Sequence, residues 1–165
     1  MAKKHMRILA AILFLISFCF HGCGGDAAAN VNVQNIESFI EKVLTVPSPE
    51  LSYLSKLDLH LTDMEKYDKQ FYAAVESLCG ENADIEKLAD TGSRFYGQVI
   101  YLHLMANAQD YVITVSRVTV TESEEDDKHY GYEAVIQDSR EEESSTLTGS
   151  IQLNDAYQIE YMSIN

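Results

Sequence analysis

The chain has 165 residues, of which 46% are hydrophobic, and its formal net charge is −14. This composition excludes an intrinsically disordered chain, and the length is enough for one domain with a sizeable core. Because a negative field repels phosphate backbones and anionic lipid head groups, nucleic-acid binding is not expected.

Residues 1–22 are predicted to be an export signal, since a basic start is followed by a mostly apolar run from Ile8 to Phe20. That run is shorter than the about 20 residues that a membrane-spanning helix needs. Every Asp and Glu lies after Cys23, whereas three of the basic residues precede it. Removal of the signal would leave nine bases against 26 acids, a net charge of −17.

Two processing sites fit the end of this signal. The four residues 20–23, Phe-His-Gly-Cys, resemble a bacterial lipobox, in which the Cys receives lipid and becomes the first mature residue. We therefore expect Cys23 to be lipidated and residues 23–33 to form a flexible tether. Cleavage after Ala29 at a small-x-small site is the alternative, and it would release a secreted protein.

Helices are predicted at the start of the single domain assigned to residues 34–165. Apolar residues between Asn35 and Val46 recur at helical spacing on one face, and Pro47 ends that helix. Ser48, followed by Pro49 at a first helical position, predicts an N-cap and a second helix. The buried stripe predicted for the first helix is Ile36, Phe39, Ile40, Val43 and Leu44.

Two more helices are predicted before the sheet. Thr62 and Glu65 form a capping box for a long helix that ends at Gly80. A shorter helix is predicted from Ala83 to Asp90, with Asn82 as its cap. The stripe of the long helix is Met64, Tyr67, Phe71, Val75 and Leu78.

Residues 93–106 form an apolar run that periodicity alone does not assign to a helix or a strand. A short strand is favoured, leading into a turn at residues 107–110.

From Tyr111 to Ile164, four runs rich in Val, Ile, Tyr and Thr are separated by polar turns, which predicts an antiparallel meander. The apolar parity changes between Val115 and Val118, so a bulge near Ser116 and Arg117, and with it a curved sheet, is expected. The fold class is therefore α+β, with N-terminal helices packed on a curved, cone-like antiparallel sheet of four or more strands. The predicted inward residues of the later strands are Tyr130, Tyr132, Ala134, Ile136, Leu147, Gly149, Ile151, Leu153, Tyr157, Ile159 and Tyr161, with Met162 and Ile164 crossing over.

This layout resembles the nuclear transport factor 2-like, or cystatin-like cone, fold. The resemblance rests on residues 39–44 followed by Pro47, on the strand at residues 111–120, and on residues 148–154 leading to Ile159. It implies an open cone whose apolar mouth serves small ligands or partner docking in related proteins. More narrowly, the chain is similar to small Gram-positive surface lipoproteins that carry one such domain.

Enzymes that share this layout, such as ketosteroid isomerases and scytalone dehydratases, place a carboxylate or a His–Asp pair with tyrosines inside the cone. This chain has those residue types in His60, His103, Tyr96, Tyr101 and Asp110. No family position matches residue by residue, so no catalytic residue and no cofactor is expected. A small-molecule enzyme or carrier that uses the cone cavity is the alternative function.

Tyrosines suggest a binding surface instead. Tyr130, Tyr132, Tyr157 and Tyr161 form a candidate aromatic strip for a partner, although cross-strand packing explains the same residues. The full candidate surface for a ligand or partner adds Tyr96, Tyr101 and His103.

Neither acidic runs nor cysteines predict a further site. The runs at residues 122–127 and 141–143 lack the spacing and the Gly of an EF-hand loop, so they are expected to be solvated hairpin tips, with His129 at the surface. Cys79 is expected to be a small buried hydrophobe at a helix end, without a disulfide. The sequence thus predicts an exported, lipid-anchored binding domain outside the cytoplasm, without a metal site and without catalysis.

Overall fold

The structure is a computed structural model that describes residues 26–56 and 64–165, with side chains described for residues 31–52 and 69–165. The predicted signal, Cys23, His60 and the capping residue Thr62 lie outside the described residues. The compact unit that contains the described side chains is Asn32–Asn165. Among the described residues, no helix combines the length and the apolar character needed to cross a membrane.

A four-stranded antiparallel sheet forms the C-terminal half, as the sequence predicted. The strands are β1 (Ile113–Glu122), β2 (His129–Asp138), β3 (Ser145–Leu153) and β4 (Ile159–Ile164), and they lie side by side in that order. The sheet is curved and does not close into a barrel, so the α+β fold class is confirmed.

The bulge predicted in the first strand is present. Val115 pairs with Ile136 and Arg117 pairs with Val135, so Ser116 has no partner in the register. The extra residue moves the half-buried Val118 onto the same side of the sheet as Val115. Because a bulge increases the local twist, it bends β1 around the helices.

The inward faces of β2 and β3 are also confirmed, since alternate residues are buried or half-buried along both strands. In β4 the change of parity arises at Glu160: Leu153 pairs with Ile159, whereas Gln152 pairs with Tyr161. Met162 is therefore buried, but Tyr161 is half-buried and shares its side with Gln152. The prediction that Tyr161 faces inward is wrong, because this second bulge shifts the alternation.

The turn between β3 and β4 combines a left-handed residue with local side-chain hydrogen bonds. Tyr157 precedes β4 and is 48% exposed with φ of 58°. It, and not Asn154 or Asp155, takes the left-handed conformation. Asn154 shapes the turn by local bonding, because its Oδ1 accepts hydrogen bonds from the N–H groups of Ala156 (2.9 Å) and Gln158 (3.0 Å).

The first helix, α1 (Asp26–Leu44), begins earlier than predicted and buries the predicted apolar stripe. Beyond it, Val46 pairs with Ile113 on β1, each N–H donating to the other carbonyl at 3.0 and 2.9 Å. A 3₁₀ helix (Pro49–Lys56) follows, and the Ser48 hydroxyl accepts a hydrogen bond from the Leu51 N–H at 3.3 Å. The predicted N-cap is therefore confirmed.

The next helix, α2 (Met64–Cys79), ends before Gly80, whose φ of 79° suits a helix C-terminus. The short helix α3 (Ile85–Leu88) is capped by Asp84, which accepts a hydrogen bond from the Lys87 N–H at 3.3 Å. The prediction of Asn82 as the cap is wrong, because the helix begins at Ile85, two residues later than expected, and Asp84 flanks it. The described stripe residues Phe71, Val75 and Leu78 are buried.

The strand predicted within residues 93–106 is wrong. A π-helical turn (Tyr96–Ile100) continues directly into α4 (Tyr101–Gln109). Helical residues Arg94 and Phe95 precede the π turn, and Ser93 before them accepts a hydrogen bond on its hydroxyl from the Tyr96 N–H at 3.0 Å. Val99 and Ile100 of the π turn both face the core, and the half-buried Leu102, Leu104 and Met105 after them continue the apolar run, which hides the helical period in the sequence. The buried residues of this segment are Phe95, Val99, Ile100, His103 and Ala106.

Candidate functional site

His103, the buried polar residue of α4, has no exposed surface. Its Nδ1 lies 3.0 Å from the Ser48 N–H nitrogen, and its Nε2 lies 2.9 Å from the Val43 carbonyl oxygen. Because one partner donates and the other accepts, the ring is neutral with its hydrogen on Nε2. Burial lowers the pKa of His103, against the opposing effects of the Val43 hydrogen bond and the charge of Glu50. His103 thus joins three segments and leaves neither ring nitrogen for a substrate.

Two of the candidate tyrosines belong to the core. Tyr132 is buried, its hydroxyl donates a hydrogen bond to the Ser163 carbonyl at 3.0 Å, and burial raises its pKa. Tyr130 is also buried, and its hydroxyl donates to the Asp127 carbonyl at 2.8 Å. Both positions agree with the cross-strand packing that the sequence offered as the alternative.

The other two tyrosines of the strip lie elsewhere. Tyr157 is on the turn before β4, where its hydroxyl donates to Asp127 Oδ2 at 3.3 Å. Tyr161 lies on the side of the sheet opposite to Tyr130 and Tyr132. The structure therefore does not bring the four tyrosines together on one exposed surface.

The predicted residues around the π turn and α4 do not converge either. Tyr96 is half-buried and makes an edge-on contact with Phe71, with ring centroids 5.4 Å apart. Tyr101 is 57% exposed, and Asp110 is exposed at the end of α4. Neither residue is hydrogen-bonded to His103, so these side chains form no shared acid–base group.

A cleft with a volume of about 430 Å³ lies between the exposed side of α1 and the Pro47–Glu50 segment. Its charged lining residues are Glu41, Lys42 and Glu50. The Lys42 ammonium donates a hydrogen bond to the Ser77 carbonyl of α2, so this cation is already engaged. The sequence did not indicate this cleft, because its residues come from the polar side of one helix and from a separate turn.

Metal and thiol chemistry have little support in the described part of the chain. No group of three or more His, Cys, Asp or Glu residues is placed there to hold a metal ion. The two acidic runs occupy hairpin loops, as predicted, and His129 is exposed with Nδ1 2.7 Å from Asp126 Oδ2. Cys79 is buried at the end of α2, and burial raises its pKa to about 12 while Lys42 partly opposes the shift.

The β4 edge of the sheet is bonded at both of its ends by other parts of the fold. The Ile159 N–H donates to the Asn82 carbonyl, and its own carbonyl accepts from the Asp84 N–H, both at 2.8 Å. At the other end, the Gln98 side-chain amide bonds both backbone groups of Ile164, at 2.7 and 2.9 Å.

The β1 edge is closed at one end alone within the described residues, where Val46 pairs with Ile113. At the far end the Ser123 N–H donates to the His129 carbonyl at 2.8 Å, which sets the alternation of the β1–β2 ladder. The backbone N–H and C=O groups of Val118, Val120 and Glu122 therefore point away from β2. None of these groups has a hydrogen-bond partner among the residues that the structure describes, and this row, residues 118–122, is called the open edge of the sheet.

No protein-family model, curated protein or solved structure matches the chain. The fold that the structure shows is α+β, and the likeness to the nuclear transport factor 2-like fold stays a prediction.

Proposed function

We propose that the chain is an exported, lipid-anchored protein whose α+β domain binds a partner outside the cytoplasm and catalyses no reaction. The observation that carries the non-catalytic part is that both ring nitrogens of the buried His103 are bonded to backbone groups. A general acid or base needs a titratable atom within hydrogen-bond reach of its substrate.

Freeing His103 for catalysis would be costly. Its rotation would leave the Ser48 N–H and the Val43 carbonyl without their partner in a buried site. Each unsatisfied buried group costs about 1–3 kcal/mol, and the apolar contacts of the ring would be lost as well. The ring is therefore held as a structural link between α4, α1 and the Ser48 turn.

Side chains fill the concave side of the sheet, which favours binding of a partner at the outer surface over binding of a ligand inside the cone. Tyr132 fills the space over Gly149, Phe71 of α2 is 3% exposed, and Phe39 packs on Phe95 with centroids 6.1 Å apart. The alternative function, a small-molecule enzyme or carrier, needs a cavity inside the cone lined by converging polar groups. The described clefts instead lie along α1 and on the outer side of the sheet.

The export and anchoring part rests on the sequence of residues 1–23. An apolar run followed closely by Cys23 supports lipidation, and one acyl chain alone holds a protein only reversibly, so a stable anchor needs more than one. The net charge of −17 expected after processing disfavours direct adsorption to anionic lipid, which leaves the anchor as the membrane contact.

The location is tested by expressing the full chain and a Cys23→Ser variant in a Gram-positive host. We expect the wild-type chain in the membrane fraction, with a mass that shows an acylated N-terminal Cys23, and the variant without lipid. An unmodified N-terminus at Asn30 would show that the protein is secreted.

Catalysis is tested with the isolated chain and small carbonyl substrates for isomerisation or dehydration. We expect no turnover above that of heat-denatured protein. Turnover that is lost in Asp110→Asn would establish the enzyme alternative, and this substitution keeps a residue type that tolerates the left-handed backbone at φ of 57°.

A further inference from the structure

We propose that the open edge of β1 docks an extended, cationic polypeptide segment as a fifth strand of the sheet. This inference rests on the proposed binding function and names the class of partner. In such docking, main-chain hydrogen bonds supply affinity and alternate side chains supply specificity.

The difference between the two edges is the first argument. At β4, protein groups bond the outward N–H and C=O groups of Ile159 and Ile164. At β1, the corresponding bonds in the described structure end at Ile113, and the outward groups of Val118, Val120 and Glu122 remain open. Unpaired edge groups are a ready template for another strand.

The side chains of the open edge favour pairing. Charged side chains and Pro commonly block edge-to-edge contact. The strand contains no Pro, and its charged residues are Arg117, beside the bulge, and Glu122, at the end, so residues 118–121 between them carry no charge. Its bulge at Ser116 lies before the open edge and leaves residues 117–122 in regular register with β2. Val118 and Val120 are half-buried on the core side, so a docked strand would extend the apolar surface that they begin.

Charge decides which kind of segment fits. The open edge ends at Glu122 and leads into the exposed Glu124 and Glu125, for which the described structure contains no ion pair. Asp126 and Asp127, by contrast, already bond His129 and Tyr157. A second copy of this chain would bring the same acidic loop and a net charge of −14, whereas a segment with Lys or Arg would be attracted.

The test uses two synthetic peptides of about ten residues, one alternating Val with Lys and the other alternating Val with Glu. The protein is purified in the processed form that the expressing cells produce. NMR then follows the amide hydrogen exchange of this protein in the presence of each peptide. We expect the cationic peptide to slow exchange at Val118, Val120 and Glu122 by about tenfold or more at saturation. Its affinity should weaken as salt rises from about 50 to about 300 mM.

Matched changes separate backbone pairing from side-chain contact. Val120→Pro removes one outward N–H without breaking the β1–β2 ladder, and it should weaken binding, whereas Val120→Thr should bind within about threefold of wild type. A cationic peptide that is N-methylated on alternate residues should not bind, and this control leaves the protein unchanged.

The proposal is overturned if the cationic peptide leaves these three amides unprotected, or if the acidic peptide protects them equally. It is also overturned if they are protected in the free chain and sedimentation shows a dimer. If the cationic peptide binds but does not slow amide exchange at the open edge, this inference is refuted, whereas the proposed binding function remains. Turnover of a carbonyl substrate would refute that function separately.

Discussion

Tyr132 lies directly opposite Gly149 across β2 and β3, and its hydroxyl reaches beyond that glycine to the Ser163 carbonyl of β4. A Cβ at Gly149 would lie 1.9 Å from the Ser163 oxygen and 2.5 Å from the Tyr132 hydroxyl. The missing side chain therefore lets one tyrosine join three strands. This is a position at which a strand needs glycine for close approach.

Gly149→Ala is expected to destabilise the domain by about 1–3 kcal/mol or more, because the new methyl group meets backbone that cannot move aside. Chemical denaturation measures the change. Gly131→Ala on β2 is the matched control: its Cβ would meet nothing within 4 Å, so its stability should stay within about 0.5 kcal/mol of wild type. Adding Tyr132→Phe to Gly149→Ala should not restore stability, since the clash with Ser163 remains. Equal stability of the two alanine variants would contradict this packing.

Gln98→Ala is expected to cost about 1–2 kcal/mol, because both backbone groups of Ile164 lose their partner at the β4 edge. Gln98→Glu should be worse near pH 7 than at acidic pH, since a carboxylate faces the Ile164 carbonyl until it is protonated. Thermal unfolding at two pH values measures both effects. The exposed Gln109→Ala serves as control, and a Gln98→Ala variant as stable as this control would show that the edge closes without the amide.

The Cys79 thiol is expected to resist alkylation in the folded protein. Burial raises its pKa to about 12, so at pH 8 only about one thiol in 10⁴ is ionised. Iodoacetamide labelling, located by mass spectrometry of the Cys79 peptide, should be slow in buffer and fast in denaturant. Labelling of the native chain at the rate of the denatured chain would show that the end of α2 is open to solvent.

The sheet could be predicted from the sequence because each strand has one buried side. Val115 and Val118 lie on opposite parities, and a single extra residue between them was enough to place the bulge at Ser116. The same argument predicted that Met162 and Ile164 cross over, but it placed the change after Tyr161, because an aromatic residue at that position fits the inward side of the strand.

The segment before the sheet could not be assigned, because its helical period is disturbed in two ways. His103 belongs to the buried face but is polar, so a count of apolar residues leaves it out. The half-buried Leu102, Leu104 and Met105 continue the apolar run beside the buried residues, so no polar side of the helix is visible in the sequence there. Ser93 is a residue type that favours helix N-caps, and its hydroxyl accepts the Tyr96 N–H, so it is the local feature that could have indicated a helix here.

The open edge was beyond sequence reasoning for a different reason. Whether an edge is covered depends on distant segments: Gln98 is 66 residues from Ile164, and Val46 is 67 residues from Ile113 (113 − 46). No local pattern in β1 or β4 indicates which of the two is covered. The sequence could name the strands, but only the folded chain shows which backbone groups are free.

His103 makes the stability of the domain depend on pH. Burial lowers the pKa of His103 from 6.5, so below pH 6.5 the ring is protonated in the unfolded chain but stays neutral in the folded chain. The contribution of the neutral ring to the free energy of unfolding is therefore complete above about pH 6.5, and it is lost as the pH falls towards the folded-state pKa. We expect the urea concentration at the unfolding midpoint to decrease when the pH is lowered from 7.5 to 5.5. The variant His103→Gln is neutral at both pH values, so its midpoint should be lower at pH 7.5 but should decrease less. NMR titration of the ring should place its pKa below 6.5. An unchanged slope in His103→Gln would assign the pH dependence to other groups.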